Sequence, residues 1–284
     1  MIEPPIVLAH SPDSDDAFMF YGLRADAVDT EGLRYRHELA DIETLNRRAL
    51  RGELAVTAVS FHAYAFLADR YLLLPHGASF GDGYGPCVVA RGGAGAPRTL
   101  SALAGRRVAI PGALTTAALA LRLYAPAATT VVVPFDRVGE AVTRGEVDAG
   151  VVIHEGQLTW KDEGFRLVAD LGVVWKEETG LPLPLGGNAV RKDLGEETIG
   201  KISRGLGRSI AYALAHREEA LTDAMRFARG LSREKADRFV GMYVNDWTLA
   251  YGARGREAVH LLLERGWEAG VLPSRVTPEW VAER

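Results

Sequence analysis

Twice in this chain an Arg-Gly-Glu triplet leads into a short apolar run that stops on a polar residue. Arg51-Gly52-Glu53 leads into Leu54 to Val59 and stops at Ser60, while Arg144-Gly145-Glu146 leads into Val147 to Ile153 and stops at His154. The two units differ in length by one residue. A helix that ends in glycine, a buried strand and an abrupt polar exit make up an αβ unit, since glycine takes the left-handed turn without steric cost. In an open α/β sheet ligands sit beyond the carboxyl ends of the parallel strands, so Ser60 and His154 are both aimed at a cleft. The repeat predicts two similar lobes facing each other, although helix-ending glycines alone would produce the same two matches.

The remaining segments fit that alternation. Ile6 to His10 reads as a strand, followed by the polar loop Ser11-Pro12-Asp13-Ser14-Asp15-Asp16 and a helix from Ala17 to Leu23. Ser14, Asp15 or Asp16 is expected to cap that helix, and Ser11 and Asp16 are candidates for the cleft wall. Tyr35 to Leu39 reads as a strand feeding a helix after Asp41. Gly77 to Pro86 is glycine-rich but precedes a β-type run, which argues against a dinucleotide-binding turn and for a loop close to a ligand. Arg106 to Gly112 is a strand with a Pro-Gly exit, and Thr115-Thr116 opens the apolar helix Ala117 to Tyr124. Hydroxyls beside free N–H groups at the positive end of a helix form a receptor for a carboxylate or phosphate. Thr130 to Val133 and Phe165 to Asp170 read as strands, Trp175 to Leu181 as a helix, and Leu181 to Gly187 as a stiff apolar crossing. From Glu196 onward, apolar residues at three- and four-residue spacing predict amphipathic helices.

Composition narrows the partner. Of 284 residues, 48% are apolar, enough for real cores, and charges of both signs are interspersed to a net −4. No basic patch for nucleic acid or for a membrane surface is present in that pattern. The single cysteine, Cys87, excludes an intrachain disulfide and a cysteine-cluster metal site. Met1 to Pro5 lacks a basic n-region, and the apolar stretch Thr115 to Pro134 is broken by Arg122 and Pro126, so a soluble, cytoplasmic protein is expected. The expected partner is a small anion, a carboxylate or phosphate, with a homodimer left open.

Seven histidines occur and none lies in a zinc spacing, so no metal is expected. His37, His216 and His260 fall in loop or helix-surface patterns and are expected in solvent, while His10 and His62 lie near strand ends. Only His154 combines a buried strand with a polar exit, and its ordinary pKa suits proton transfer at neutral pH. Nucleophile-elbow and Walker motifs are absent from the sequence.

Several segments in fixed order carry a resemblance: SPDSDDAFMFYGL at Ser11 to Leu23, DIETLNRRAL at Asp41 to Leu50, Ser60, PG-x-x-TTA at Pro111 to Ala117, GEVDAGVVIHEGQLT at Gly145 to Thr159, and LPLPLG at Leu181 to Gly186. Together they resemble, over nearly the full length, the menaquinone-biosynthesis enzymes of the futalosine route, and more narrowly their 1,4-dihydroxy-6-naphthoate synthase branch. The resemblance implies an α/β, two-lobed type II periplasmic-binding-protein-like fold with an interlobe cleft. Residues 1–91 and 189–284 would form one lobe and 92–188 the other. It further implies conversion of cyclic dehypoxanthinyl futalosine to 1,4-dihydroxy-6-naphthoate and a three-carbon fragment, without cofactor. His154 would be the catalytic base, and Asn46, Ala58, Val59, Ser60, Thr115 and Thr116 would contact the substrate. Chorismate dehydratase of the same route and a non-catalytic carboxylate binder share the fold and are the alternatives. One departure stands out: the family's better-known members carry a Cys-Pro-Asn-Asp type of loop where this chain has Asp13-Ser14-Asp15-Asp16.

Overall fold

The computed structural model describes residues 4–282 and contains two mixed sheets joined by two chain crossings. The first sheet is built from β1 (Ile6–His10), β2 (Tyr35–Leu39), β3 (Val56–Ser60), β4 (Tyr71–Leu73) and β5 (Ser79–Gly81). The second contains β6 (Cys87–Ala90), β7 (Arg107–Ile110), β8 (Thr129–Val132), β9 (Ala149–Val152) and β10 (Arg166–Asp170). The chain then returns to the first sheet as β11 (Leu183–Arg191).

The repeat seen in the sequence is a repeat of topology. In the first lobe β1 pairs in parallel with β2 and β3; in the second β7 pairs in parallel with β8 and β9. Each three-stranded core is then extended by an antiparallel strand, β11 against β3 and β6 against β9. β3 and β9 therefore hold equivalent places, and the glycines before them, Gly52 and Gly145, both adopt left-handed backbone at φ of 71° and 73°. Ser60 and His154 emerge at matching points of the two lobes because the same unit is built twice.

Several boundaries differ from expectation. Leu181 to Gly187 is not a free crossing: from Leu183 it belongs to the nine-residue β11, whose carbonyls and amides pair with β3, β4 and β5. Pro184 is accommodated where the register against β5 shifts, the place a strand tolerates a missing donor. The helix expected from Trp175 begins at Leu171, capped by Asp170, and ends at left-handed Gly180. The expected lobe limits move accordingly, since Cys87–Ala90 pairs within the second sheet and Leu183–Arg191 within the first. The first helix starts at Ser14, and no side chain caps it. Expected in solvent, His37 is instead half-buried and hydrogen-bonded to His10.

The C-terminal helices pack on the first lobe. In the helix Glu196–Ala215, Ile199, Ile202, Leu206, Ile210 and Ala213 form the buried stripe. Ser209 on the same face donates to the Met19 carbonyl and accepts from the Leu23 amide. Gly22 makes that close crossing possible, since a Cβ there would lie 2.9 Å from the Ser209 Cα. No helix among the described residues is long and apolar enough to cross a membrane.

Candidate active site

A cavity of about 120 Å³ lies between the lobes. Ser11, Asp16, Ala58, Val59, Ser60, Thr115, Thr116 and His154, all singled out from the sequence, line it. Asn46 does not. It stands behind Ser60, fully buried, and grips it twice: the Asn46 Oδ1 accepts from the Ser60 amide at 3.0 Å and the Nδ2 donates to the Ser60 hydroxyl at 3.1 Å. Among the described contacts the Ser60 oxygen only accepts, so its own proton is available to a ligand.

His154 follows β9 at a φ of +51°, a left-handed conformation uncommon outside glycine. Strain of this kind persists where surrounding contacts over-determine the backbone. Its Nδ1 lies 3.0 Å from Oδ2 of Asp13, on the loop after β1 in the opposite lobe. The Phe135 ring meets the imidazole edge-on at 5.1 Å between centroids. A carboxylate that accepts the Nδ1 proton fixes the tautomer, so the neutral ring carries its lone pair on Nε2.

The acidic loop divides into unlike carboxyls. Burial works against ionisation of Asp13, but the facing His154, hydrogen bonds from His154 and Asp15, and the charge of Arg229 hold it at about 2. Asp15 is pushed well above the usual carboxylate range by burial, then by Asp13 and Asp16. Asp16 is raised likewise by burial and by Asp13, against a hydrogen bond from the Ser11 amide at 2.7 Å. Asp13 is thus held toward its carboxylate form, while Asp15 and Asp16 are pushed toward their acid forms. Oxygens of all three lie within 4.8 Å of one another.

The Thr115-Thr116 corner differs from expectation. Thr115 caps the helix Thr116–Tyr124, accepting from the Ala118 amide, and donates to the Gly112 carbonyl. Thr116 donates to the Leu185 carbonyl at 2.5 Å and accepts from the His62 amide. Both hydroxyls are engaged by protein, so what the corner offers an anion is the first-turn N–H groups and the helix dipole. His62 lies outside the cavity and bonds the Thr115 carbonyl through Nδ1; burial lowers its pKa to about 4. His10 is also outside, buried against His37 and the Ser11 carbonyl, with burial and then His37 lowering its pKa to about 3.

A family model described as menaquinone biosynthesis matches residues 6–268. This chain belongs to the menaquinone-biosynthesis family. It is 43% identical to 1,4-dihydroxy-6-naphthoate synthase of Thermus thermophilus, over 96% of this chain and 98% of that one. Identity to the enzyme of the same name from Streptomyces coelicolor is 34%, over 94% of each chain. Among solved structures, protein AF1704 from Archaeoglobus fulgidus superposes with a TM-score of 0.88 at 48% identity, covering 94% of this chain and 98% of that one. The alkanesulfonate-binding protein SsuA from Xanthomonas axonopodis pv. citri, bound to MOPS, superposes at 0.72 with 13% identity over 97% of each chain, which shows a shared periplasmic-binding-protein fold.

Within this family member, several cleft residues escaped the sequence reading. The sequence offers Ser14, Asp15 or Asp16 as the helix cap and gives Asp13 no role of its own, yet Asp13 is the partner of His154. Tyr243 and Phe239, which fall within the helical pattern from Glu196 onward, line the cavity, and the Tyr243 hydroxyl donates across the lobes to Oε1 of Gln157. Glu155 does not line the cavity; it is buried and paired with Arg229 at 3.3 Å.

Proposed function

We propose that this protein is a 1,4-dihydroxy-6-naphthoate synthase, a carbon–carbon lyase acting on cyclic dehypoxanthinyl futalosine in the cytoplasm with no added cofactor. The observation that carries the reading is the Asp13–His154 pair on the cavity wall. Asp13 holds the imidazole in the tautomer whose Nε2 can take a proton from the substrate. Proton removal starts an eliminative cleavage that expels the three-carbon fragment, and aromatisation of the remaining ring supplies the driving force. Asp15 and Asp16, pushed toward their acid forms on the same wall, are the proton donors at hand; neighbouring carboxyls pushed apart in pKa commonly divide acid and base roles. The substrate carboxylate would lie against the first turn of the helix Thr116–Tyr124, with the Ser60 hydroxyl and the backbone at Ala58 and Val59 fixing orientation. Burial pushes Asp15 and Asp16 toward their uncharged forms, which lessens the repulsion that the sequence Asp13-Ser14-Asp15-Asp16 would otherwise impose.

The test is incubation of purified protein with cyclic dehypoxanthinyl futalosine and, separately, with chorismate. Formation of 1,4-dihydroxy-6-naphthoate supports the reading. A 3-enolpyruvyl benzoate formed from chorismate, or either compound bound and recovered unchanged, would replace it with the dehydratase or the binding-protein alternative.

A further inference from the structure

Arg229 has a φ of +46°, and the glycine beside it, Gly230, sits at +82°. A bulky residue is thus kept in left-handed backbone immediately before a position where glycine already supplies the turn. Its guanidinium has three contacts. Nη2 donates to the Pro12 carbonyl at 3.0 Å, Nη1 to Oε2 of Glu155 at 3.3 Å, and the group lies 4.6 Å from the centre of the Phe135 ring. Each contact is one step from the Asp13–His154 pair: Pro12 precedes Asp13, Glu155 follows His154, and Phe135 packs edge-on against the imidazole. Pro12 belongs to the first lobe, Glu155 and Phe135 to the second. A planar fork with donors on both sides can bridge the two at fixed spacing, which a lysine ammonium cannot do.

We propose that Arg229 is a positioning residue that sets the Asp13–His154 geometry when the lobes close. It grips the backbone next to one partner and the side chain next to the other, and through Phe135 it holds the imidazole plane. The proposal rests on the function assigned above. A general interlobe bridge offers a built-in comparison: Lys235 and Asp162 pair at 2.7 Å across the same lobes, exposed and outside the cavity lining.

The full chain carrying Arg229→Met, Arg229→Lys or Lys235→Met is assayed with cyclic dehypoxanthinyl futalosine, below the melting temperature of each variant. Arg229→Met is expected to lower kcat roughly 10- to 100-fold with KM changed less than about threefold, the effect of misplacing a catalytic group by a fraction of an ångström to one ångström. Arg229→Lys should recover part of the loss, and Lys235→Met should stay within about twofold of wild type. In an Asp13→Asn background, Arg229→Met should cost little more, because both changes act through one unit. A kcat for Arg229→Met within about twofold of wild type, or its full loss added on top of Asp13→Asn, would overturn the proposal. Should the wild-type protein leave this substrate untouched, the functional reading fails and the Arg229 claim is decided by NMR of the His154 ring nitrogens. Shifts moving in Arg229→Met as they do in Asp13→Asn uphold it, and unchanged shifts overturn it.

Discussion

Oδ2 of Asp13 stands 3.0 Å from Nδ1 of His154, and the two residues come from opposite lobes. Any separation of the lobes would break this pair, so under the proposed mechanism proton transfer is tied to closure of the cleft. Asp13→Asn keeps the shape but offers an amide where a carboxylate was, and it no longer fixes the tautomer. A kcat loss of roughly 10²- to 10⁴-fold with a modest KM change is expected from steady-state kinetics, on the precedent of acid–histidine pairs in other enzymes.

Asp15 sets a pH dependence whose sign follows from its raised pKa. Above the ordinary carboxylate pKa the unfolded chain ionises while the folded protein holds the proton, so the folded state loses relative stability as pH rises toward the folded pKa. Asp13 runs the other way. Its folded pKa of about 2 lies below the ordinary aspartate value of 3.8, so its contribution is present above that value and fades as pH falls through about 2. Asp15→Asn does not titrate and should raise the melting temperature at neutral pH by roughly 2–4 °C, the response to about 1 kcal/mol in a chain of this size. Thermal unfolding followed from pH 7 down to pH 4 should show that gain shrink.

Asn46 supports the cavity from behind. Truncation to Ala leaves the buried Ser60 amide without its acceptor, a loss of about 1–3 kcal/mol in unfolding experiments. Ser60 would also lose its fixed orientation, so KM for the substrate should rise alongside.

Tyr243 donates to Gln157 across the cleft. Tyr243→Phe preserves the cavity wall and deletes one interlobe hydrogen bond, worth about 1 kcal/mol. A rise in KM of roughly fivefold with kcat largely kept is the expected kinetic result.

How much of this was legible beforehand depends on the range of the interaction. The repeated Arg-Gly-Glu unit gave away the strands that end at Ser60 and His154, because glycine at a helix end and an apolar run are local signals. Thr115 as a cap was equally local. The pairing of Asp13 with His154 joins residues far apart in sequence, and nothing in the acidic loop distinguishes a carboxylate facing a histidine from one capping a helix. Arg229 and Tyr243 were hidden in amphipathic helix patterns for the same reason. The Leu-Pro-Leu-Pro-Leu run misled in the other direction: prolines argue against a strand, but at Pro184 the register shift against β5 removes the need for a donor.

The most direct test of the central claim is a single-turnover experiment with His154→Gln and cyclic dehypoxanthinyl futalosine, enzyme in excess. Binding within a few-fold of wild type, with 1,4-dihydroxy-6-naphthoate formed at least roughly 10²-fold more slowly, is the outcome expected if His154 is the base. Naphthoate formed by the variant at the wild-type rate would contradict it.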